Sequence, residues 1–428
     1  MLGLPSVVDY SYGLLDFLLK TRIPLVPTVT ETFVRSTFFA QFIPGETAEE
    51  CLPAMEALRR DNTGSALNYS AEADAITLEG ELDIETRRYQ EIERALDVQG
   101  DFEQRMQAEG WAPGSSAFAV KVSGLIDGNI LKRASSALHQ TRATAASRIG
   151  QEVQDPGFAY EGDGQIISSS ATRVSIPDSV LSLLNTGDLE KLQLLWERLD
   201  SLAQRAKRNG VKLILDAEET WLNPAIDSYT LLLSMKYNRP TTTRNSSVRS
   251  NRPVVYGTYQ SYLMRQPAFL KAAIEHAEEN GYALGLKVVR GGYITKEKAA
   301  GEAKGLPGNG AVWASKPLTD ASYNGSVETV LETLKTQLVS GKSLPLSVIF
   351  GTHNTDSVQT IIQTLESKGL ASRSPNGALS LRKDVEGRVN VAQLYGMRDD
   401  LSDVIRSAFA PSKSAISMCF IAYGTLRE

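Results

Sequence analysis

The sequence predicts an α/β fold, a (βα)8 or TIM barrel, because three of its features coincide. Short β-branched or apolar runs alternate with segments of helical periodicity, eight such runs occur, and most of them end in polar or ionisable residues. Alternating strands and helices imply a parallel sheet with right-handed crossovers, and eight strands favour closure into a barrel over an open sheet. The predicted strands are 64–70, 117–123, 211–216, 254–259, 284–290, 346–352, 389–395 and 418–423.

Segments of helical periodicity separate the predicted strands. Their apolar residues recur at three- and four-residue intervals, which is the spacing of one face of an α-helix. About the first 60 residues also have a helical pattern, and Thr47-Ala-Glu-Glu50 within them predicts a capping-box helix start. The clearest helical segments are 189–208, 268–280 and 326–338.

These elements divide the chain into two expected parts, an N-terminal helical arm over residues 1–60 and a barrel over residues 61–428. A long segment at about 150–180, rich in Gly, Ser and Asp, interrupts the connection between the second and third strands. Connections of that length are lids or insertions, so we expect an insertion there.

Composition excludes several classes of protein. Of the 428 residues, 42% are hydrophobic and 22% charged, the balance of a globular protein and not of a disordered or fibrous one. Lys and Arg number 45 and Asp and Glu number 50, giving a net charge of −5, so we expect no nucleic-acid partner. No stretch of 18 residues is apolar throughout, which argues against a membrane span, and Cys51 and Cys419 lack the spacing of a zinc site or a disulfide framework.

Two nucleotide-binding motifs are missing from the places where the fold would use them. Neither the expected insertion nor the turn-rich stretch 305–310 contains G-x-G-x-x-G after a strand or G-x-x-x-x-G-K-[ST]. A Rossmann unit and a P-loop NTPase therefore lose their main support, and a bound nucleotide must be held by other means.

Polar and ionisable residues end six successive predicted strands. The carboxyl ends of barrel strands meet at one face, where active sites are built. A single such residue is more often part of a rim salt bridge or a helix N-terminus, but one binding site explains all six strands together. The residues are Lys121; Asp216 and Glu218; Tyr259 and Gln260; Lys287, Arg290 and Tyr293; Thr352, His353 and Asn354; and Gln393 and Tyr395.

The charges in this set indicate the ligand. Lys121, Lys287 and Arg290 suit an anion such as a carboxylate or a pyrophosphate, and Tyr293 and Tyr395 suit the wall of an apolar pocket. Lys121 alternates with valines, so the pattern also fits an outward-facing strand residue.

Longer strings at the strand ends carry a family resemblance. In chain order they are LILDAEETWLNPAI, VYGTYQSYL, LKVVRGGYI, VIFGTHNTDSV and VAQLYGMRDDLS, with FVRSTFFAQFIPGETAEE in the arm. Together they resemble the proline dehydrogenase (proline oxidase) family, and its eukaryotic, fungal-like branch in particular. Five strings in order are far more specific than one. The resemblance implies a distorted (βα)8 barrel that holds FAD non-covalently.

The resemblance also implies an activity and a location. Members of this family oxidise L-proline to Δ1-pyrroline-5-carboxylate by hydride transfer to the flavin from the ring carbon beside nitrogen, and pass the electrons to a membrane quinone. We therefore expect L-proline as substrate, a quinone as acceptor, a peripheral contact with a membrane, and a mitochondrial location on the matrix side of the inner membrane. No transit-peptide pattern is visible in this chain.

Site residues are carried over motif by motif. Lys121, Asp216 and Tyr293 match the family's residues beside the substrate, so the resemblance implies a catalytic role for them. Lys287 and Arg290 match the basic pair that lies against the flavin and its phosphates. The remaining cofactor-side positions are Tyr259, Gln260, Thr352, His353, Asn354, Gln393 and Leu394.

Two features at the edges of the match carry further expectations. Glu72, after the first strand, matches the acidic half of a gate over the site. The family's final helix, whose Y-L-x-R-R arginines clamp the substrate carboxylate, has no counterpart in the four residues after Gly424. We therefore expect weak proline binding, and an exposed, destabilising apolar surface along the first and last strands that includes Phe420 and Ile421.

Three readings are consistent with the sequence. The first is an FAD-dependent proline dehydrogenase, and the second is a truncated, catalytically impaired flavin-binding relative. The third is a flavin-free barrel enzyme, with Lys121 as a Schiff-base amine or with Asp216, Glu218 and His353 as metal ligands. We expect no metal centre, because one histidine and two carboxylates on different strands arise often by chance.

Overall fold

Eight parallel strands close into a barrel in the computed structural model of the chain. Glu72 and the residues after Gly424 lie outside the described residues, as do residues 304–309 and most of the expected insertion. The structure describes residues 13–18, 20–21, 23, 25–69, 81–148, 159, 161–168, 182–240, 252–303, 310–341, 344–375, 377–410, 412 and 414–424.

The strands appear where the apolar runs predict them. They are β1 (Thr63–Tyr69), β2 (Ser116–Val120), β3 (Lys212–Leu215), β4 (Val255–Gln260), β5 (Gly285–Val289), β6 (Ser347–Gly351), β7 (Ala371–Arg373), β8 (Leu379–Leu381), β9 (Val389–Leu394) and β10 (Ser417–Tyr423). Around the barrel the order is β1, β10, β9, β6, β5, β4, β3, β2, which confirms the predicted (βα)8 topology. The antiparallel pair β7–β8 was not predicted, because three-residue strands are too short to show a period.

Helices surround the barrel and precede it. They are α1 (Val26–Val34), which continues through Arg35–Phe39 and Ala40–Phe42, α2 (Leu52–Arg60), α3 (Glu81–Ala108), α4 (Gly128–Arg148), α5 (Thr186–Asn209), α6 (Asn223–Tyr237), α7 (Gln266–Asn280), α8 (Ile294–Ala303), α9 (Lys316–Ser340), α10 (Thr355–Ser367) and α11 (Asp399–Ala408). The three clearest helical predictions are confirmed as α5, α7 and part of α9. None of the helices in the described ranges has the length and apolar character needed to cross a membrane.

The helix predicted to start at Thr47 begins later, at Leu52, and the capping box at Thr47 is only half formed. Thr47 Oγ1 does accept a hydrogen bond from Glu50 N (3.3 Å), but the Glu50 carboxylate binds the backbone of Glu46 instead of returning to Thr47. The helix itself begins at Leu52. The segment therefore forms a turn that leads into α2, because only one half of the reciprocal box is made.

The barrel wall follows the period of two. Leu213, Leu215 and Val288 are buried against the surrounding helices, whereas Ile214 and Ala119 belong to the cluster inside the barrel. The inner cluster is rich in alanine, and small side chains leave space toward the carboxyl ends of the strands. It consists of Ala66, Ala117, Ala119, Ile214, Tyr256, Ile349, Ala392, Met418 and Phe420.

The expected apolar exposure on the last strand does not occur. Ile421 is fully buried in the cluster that includes Cys51 and Met55 from the segment before the barrel, and Phe420 points into the barrel with only 7% of its surface exposed. The expectation considered only the family's final helix and not the segment before the barrel, whose helix α2 packs against β1 and whose Cys51 and Met55 share one core cluster with Ile421. The predicted patch at Phe420 and Ile421 is therefore wrong.

A short part of the expected insertion, residues 161–168, folds back against the helices. Arg142 on α4 donates a hydrogen bond to Asp163 Oδ2 (2.6 Å), and Ser228 on α6 donates to the same oxygen (2.7 Å). All three residues are buried. A buried ion pair with its hydrogen bonds satisfied fixes geometry, so this segment is anchored to the outer layer of the barrel.

Candidate active site

A cavity of about 770 Å³ opens at the carboxyl ends of the strands. All eight barrel strands, or the loops directly after them, contribute to its wall, which is the arrangement expected of a barrel enzyme. Among the residues singled out from the sequence, those that line it are Lys121, Asp216, Gln260, Lys287, Arg290, Tyr293, Thr352, His353, Asn354, Gln393 and Leu394.

An ion pair lies deep in this cavity. Lys287 Nζ donates to Asp216 Oδ1 at 2.5 Å, and the two side chains are only 12% and 14% exposed. Thr258 Oγ1 also approaches Asp216 Oδ1 (3.3 Å), and the Lys287 ammonium lies 4.4 Å from the centre of the Phe420 ring. Charge-assisted bonds in a partly desolvated site are strong and directional, so the pair presents a fixed cation and a fixed anion to whatever occupies the cavity.

Lys121 lies beside this pair, directly after β2. Its backbone is extended (φ −84°, ψ 115°) and precedes a short helical turn, Val122–Gly124. Asp216 N donates to Val120 O (3.0 Å), so the chain segments that carry Lys121 and Asp216 leave the barrel next to each other. Lys121 is therefore a cavity residue, and the alternative that it is an outward-facing strand residue is wrong.

Tyr259 does not reach the cavity. Its ring is buried between the barrel and the helices, 5.5 Å from the ring of Phe269 on α7. Successive strand residues point to opposite faces, so Thr258 and Gln260 face the cavity and Tyr259 faces away from it. The expected cofactor-side position of Tyr259 is therefore corrected. Tyr395 likewise packs against the outer core cluster and does not form a wall of the cavity.

The side-chain amide of Gln260 is held by hydrogen bonds to Asn223 and to the backbone of Glu218. Its Oε1 accepts a hydrogen bond from Asn223 Nδ2 (3.0 Å), and its Nε2 donates to Glu218 O (3.0 Å). Asn223 is fully buried and Gln260 is 4% exposed. With both ends of its amide bonded, Gln260 presents a fixed surface to the cavity.

Arg290 organises the opposite side of the cavity. It donates to Asp320 Oδ1 (2.9 Å), Thr352 Oγ1 (2.7 Å) and Ser357 Oγ (2.7 Å), and stacks 4.5 Å from the centre of the Tyr323 ring.

The carboxylate partner of Arg290 is shared with a second cation. Lys316 Nζ donates to Asp320 Oδ2 at 2.6 Å. Partial burial raises the pKa of the Asp320 carboxyl, but the hydrogen bonds from Lys316 and Arg290 outweigh it and hold the pKa below its usual value. Two cations face one carboxylate here, so this corner of the cavity has an excess of positive charge.

The β6 and β9 ends are joined by side-chain amides. Asn354 caps α10 by accepting a hydrogen bond from Ser357 N (2.9 Å). Gln393 is buried, donates to Thr352 O (3.1 Å) and accepts from Ser402 Oγ (3.0 Å). These contacts fix the N-terminus of α10 at the cavity wall.

His353 is held as a neutral acceptor. Its Nε2 accepts a hydrogen bond from Leu394 N (2.9 Å), which places the ring proton on Nδ1. Burial, and then the charge of Arg398, lowers the pKa of His353 below its usual value. Leu394 itself is 50% exposed, so its backbone takes part in the site more than its side chain does.

Several cavity residues were missed by the sequence reasoning. Asn68, Thr258 and Ala422 are inward-facing strand residues that the period of two would have found once the face was known. Lys316 begins α9 well away in sequence from the strand ends, and no sequence signal indicated it.

The structure does not bring Asp216, Glu218 and His353 together as the ligands of one metal ion. Within the described ranges, no three His, Cys, Asp or Glu side chains lie close enough together to hold a metal ion. Asp216 is paired with Lys287, and His353 Nε2 is bonded to a backbone amide.

Comparison with known sequences places this geometry in a family. A sequence model described as "Proline dehydrogenase" matches residues 51–428. The chain is 25% identical to proline dehydrogenase 1 of Dictyostelium discoideum over 86% of its own length, and spans 56% of that relative. It is 27% identical to hydroxyproline dehydrogenase of Mus musculus over 92% of its length, covering 75% of that protein, and 22% identical to a probable mitochondrial proline dehydrogenase of Schizosaccharomyces pombe.

Solved structures agree on the fold. Proline utilization A from Bdellovibrio bacteriovorus superposes with a TM-score of 0.64 at 16% identity, covering 98% of this chain and 35% of that protein. Proline utilization A from Bradyrhizobium japonicum gives a TM-score of 0.55 at 18% identity, over 94% of this chain. The family model covers most of the chain, including every barrel strand and every predicted site residue. This chain belongs to the proline dehydrogenase family.

Proposed function

We propose that the chain is a flavin-dependent proline dehydrogenase, which binds FAD non-covalently in the barrel cavity and oxidises L-proline to Δ1-pyrroline-5-carboxylate. The observation that carries the proposal is the Lys287–Asp216 pair, deep in a cavity formed by the strand ends of a chain in this family. The proposed electron acceptor is a membrane quinone, the acceptor that the family resemblance implies.

The residues of the cavity fit FAD. Its volume lies within the range of pockets for cofactors and ligands. Arg290, Lys316 and the N-terminus of α10 form a positively charged corner suited to a diphosphate. Gly351 and Ala392 are small residues of the cavity wall, and they leave space for a planar ring system near Lys287.

The roles of the residues follow from where their charges lie. FAD, when bound, supplies the hydride acceptor. Lys287 places a fixed positive charge in the cavity, which favours a negative charge that develops next to it. Asp216 orients that ammonium and, with Lys121 nearby, forms the polar side that faces the substrate nitrogen and carboxylate. Tyr293 contributes an aromatic surface for the apolar face of the proline ring.

Hydroxyproline is a second candidate substrate. Hydroxyproline dehydrogenases of Mus musculus, Bos taurus and Homo sapiens are 26–27% identical to the chain and cover 92% of it, as closely as the proline dehydrogenases do. Steady-state kcat/KM values for L-proline and trans-4-hydroxy-L-proline separate the two, and a higher value for the hydroxylated substrate would reassign the reaction.

The visible absorption spectrum of the purified chain tests the proposal most directly. We expect oxidised flavin bands that bleach when L-proline is added without oxygen, and that return when a soluble quinone is added. Flavin bands that persist would identify a flavin-binding relative without the activity, and a colourless protein that takes up no added FAD would remove the flavin proposal altogether.

Location is part of the proposal. Relatives in Dictyostelium discoideum, Schizosaccharomyces pombe and Arabidopsis thaliana are named as mitochondrial. We therefore propose a mitochondrial location for the chain, at the matrix side of the inner membrane, with a peripheral membrane contact. Fractionation of mitochondria with and without carbonate extraction tests both statements, and recovery of the chain outside mitochondria would contradict them.

A further inference from the structure

Two buried carboxylates outside the cavity wall bind neighbouring loops in the same way. Glu218, two residues after Asp216, accepts a hydrogen bond from Ser123 N (3.0 Å) at one oxygen and from Ser123 Oγ (2.5 Å) at the other. Ser123 lies two residues after Lys121. One carboxylate therefore takes both donors of a single serine and joins the loop after β3 to the loop after β2.

The second carboxylate repeats this arrangement. Glu297 on α8, four residues after Tyr293, accepts from Thr220 N (2.7 Å) at one oxygen and from Thr220 Oγ1 (2.7 Å) at the other. Thr220 belongs to the same loop after β3 that carries Glu218. The loop with Asp216 is thus bonded on one side to the loop of Lys121 and on the other side to the loop of Tyr293.

Neither carboxylate is placed to act on a substrate. Glu218 is 4% exposed and Glu297 is 3% exposed, and neither lines the cavity. All four carboxylate oxygens accept hydrogen bonds from the neighbouring loops. Burial raises the pKa of Glu218, while the two bonds from Ser123 oppose that rise, so the contacts with Ser123 favour the charged form.

The loop that carries Tyr293 is also fixed by a contact between Gly291 and the ring of Tyr262. Gly291 has a φ of 124°, and a Cβ atom on it would lie 1.8 Å from the Tyr262 ring, so the backbone rests directly on that ring. With Gly291 seated on Tyr262 and Glu297 bonded to Thr220, the segment that carries Tyr293 is held at both of its ends.

We propose that Glu218 and Glu297 are positioning residues that hold Lys121, Asp216 and Tyr293, the three substrate-facing side chains, at fixed mutual distances. The inference rests on the proposed function for the identity of the reaction, although the loop contacts exist independently of it. Each carboxylate accepts hydrogen bonds from the hydroxyl and the backbone amide of one residue, Ser123 or Thr220. Removing that hydroxyl alone weakens the contact, or clamp, between the loops without changing a charge or a cavity residue.

Thr220→Val tests the clamp in the full chain. Valine has nearly the shape of threonine but lacks the hydroxyl, so one of the two bonds to Glu297 is lost. We expect amide hydrogen exchange over residues 291–294 to accelerate about tenfold, with exchange in α11 unchanged, and kcat/KM for L-proline to fall about tenfold, since about tenfold is the effect of one such charge-assisted bond. Thr220→Ser keeps the hydroxyl and should restore both values.

Two further variants complete the experiment. Thr329→Val removes an exposed hydroxyl on α9 that bonds only within its own helix, and should change neither value. Ser123→Ala removes the equivalent bond to Glu218 and should accelerate exchange over residues 121–125, which keeps the test available if Thr220→Val folds poorly.

The outcomes separate the clamp from the reaction. Wild-type exchange over residues 291–294 in Thr220→Val, together with wild-type exchange over 121–125 in Ser123→Ala, overturns the clamp. Acceleration spread evenly over all helices also overturns it, because that result indicates a general loss of stability. A wild-type chain that does not oxidise proline contradicts the proposed function, while the exchange measurements still decide the inference.

Discussion

Two lysines point into the same barrel from strands that are close neighbours, but they lie at opposite ends. Lys212 begins β3 at the amino-terminal end, and its Nζ donates across the interior to the neutral amide of Asn390 on β9 (3.2 Å). Lys287 lies on β5 toward the carboxyl end, and its Nζ donates to the carboxylate of Asp216 at 2.5 Å. The lysine at the amino-terminal end thus has a neutral partner, whereas the lysine toward the carboxyl end has an anionic one.

The difference shows how one barrel separates stability from chemistry. Burial, and then the charge of Arg252, lowers the pKa of Lys212 to about 7, because no carboxylate is bonded to its ammonium group. Lys287 has an anionic partner and an open cavity above it. We therefore expect changes at the closed end to alter the free energy of unfolding, and changes at the open end to alter turnover.

The largest effect is expected at a buried pair near the closed end. Arg59 donates to Glu103 at 2.5 Å, with 1% and 0% of the side chains exposed. Arg59→Met leaves the Glu103 carboxylate buried without its partner, so the free energy of unfolding should fall by about 3–5 kcal/mol. Chemical denaturation measures it. Arg60→Met, at the exposed neighbouring arginine, should have little effect, and equal losses in both variants would contradict the comparison.

The next effect is expected at the open end. Lys287→Met removes the cation that faces the proposed flavin, so kcat for proline oxidation should fall by about 100- to 1000-fold, as it does when a preorganised charge is lost. The melting temperature should fall less than in Arg59→Met, because the Asp216 carboxylate left behind faces the open cavity and is not fully buried. Lys335→Met, at a half-exposed lysine on α9 away from the cavity, is the matched control. Unchanged turnover in Lys287→Met would remove the proposed role.

A pH series at Lys212 sharpens the comparison. Burial holds the pKa of Lys212 at about 7 in the folded chain, whereas it is 10.5 when the chain is unfolded. Between these two values the unfolded chain binds more protons, so wild-type stability rises with pH. Lys212→Met lacks this rise. It should stabilise the fold by about 1 kcal/mol at pH 6, and the advantage should shrink as pH rises from 7 toward 10.5. A constant difference between the two proteins at all pH values would contradict the assignment.

The smallest effect is expected at Tyr259. Its ring faces the helices, so Tyr259→Phe should leave flavin binding and kcat/KM within about twofold of the wild type. Tyr293→Phe, on the cavity wall, provides the contrasting variant and should change kcat/KM more. Loss of flavin from Tyr259→Phe alone would restore the cofactor role that the motif suggested.

Most of the fold could be predicted from the sequence, whereas only part of the site could. The eight strands follow from local apolar runs, and most of the predicted strand-end residues line the cavity because strand ends meet at one face. The face of each residue was harder to predict, since a shift of one position in a strand exchanges Tyr259 for Thr258 or Gln260. Burial of the last strand was also missed, because α2 precedes the barrel in sequence but its Met55 shares a core cluster with Ile421 of β10.

By itself, the sequence determined the order of strands and helices and which residue types gather at the barrel mouth, because period and spacing are local properties of the chain. Only the tertiary structure decided which of these residues bond to one another. Lys287 meets Asp216 across 71 positions of sequence, and Lys212 meets Asn390 across 178. Such pairs depend on barrel closure and register, which bring together residues that no local pattern connects.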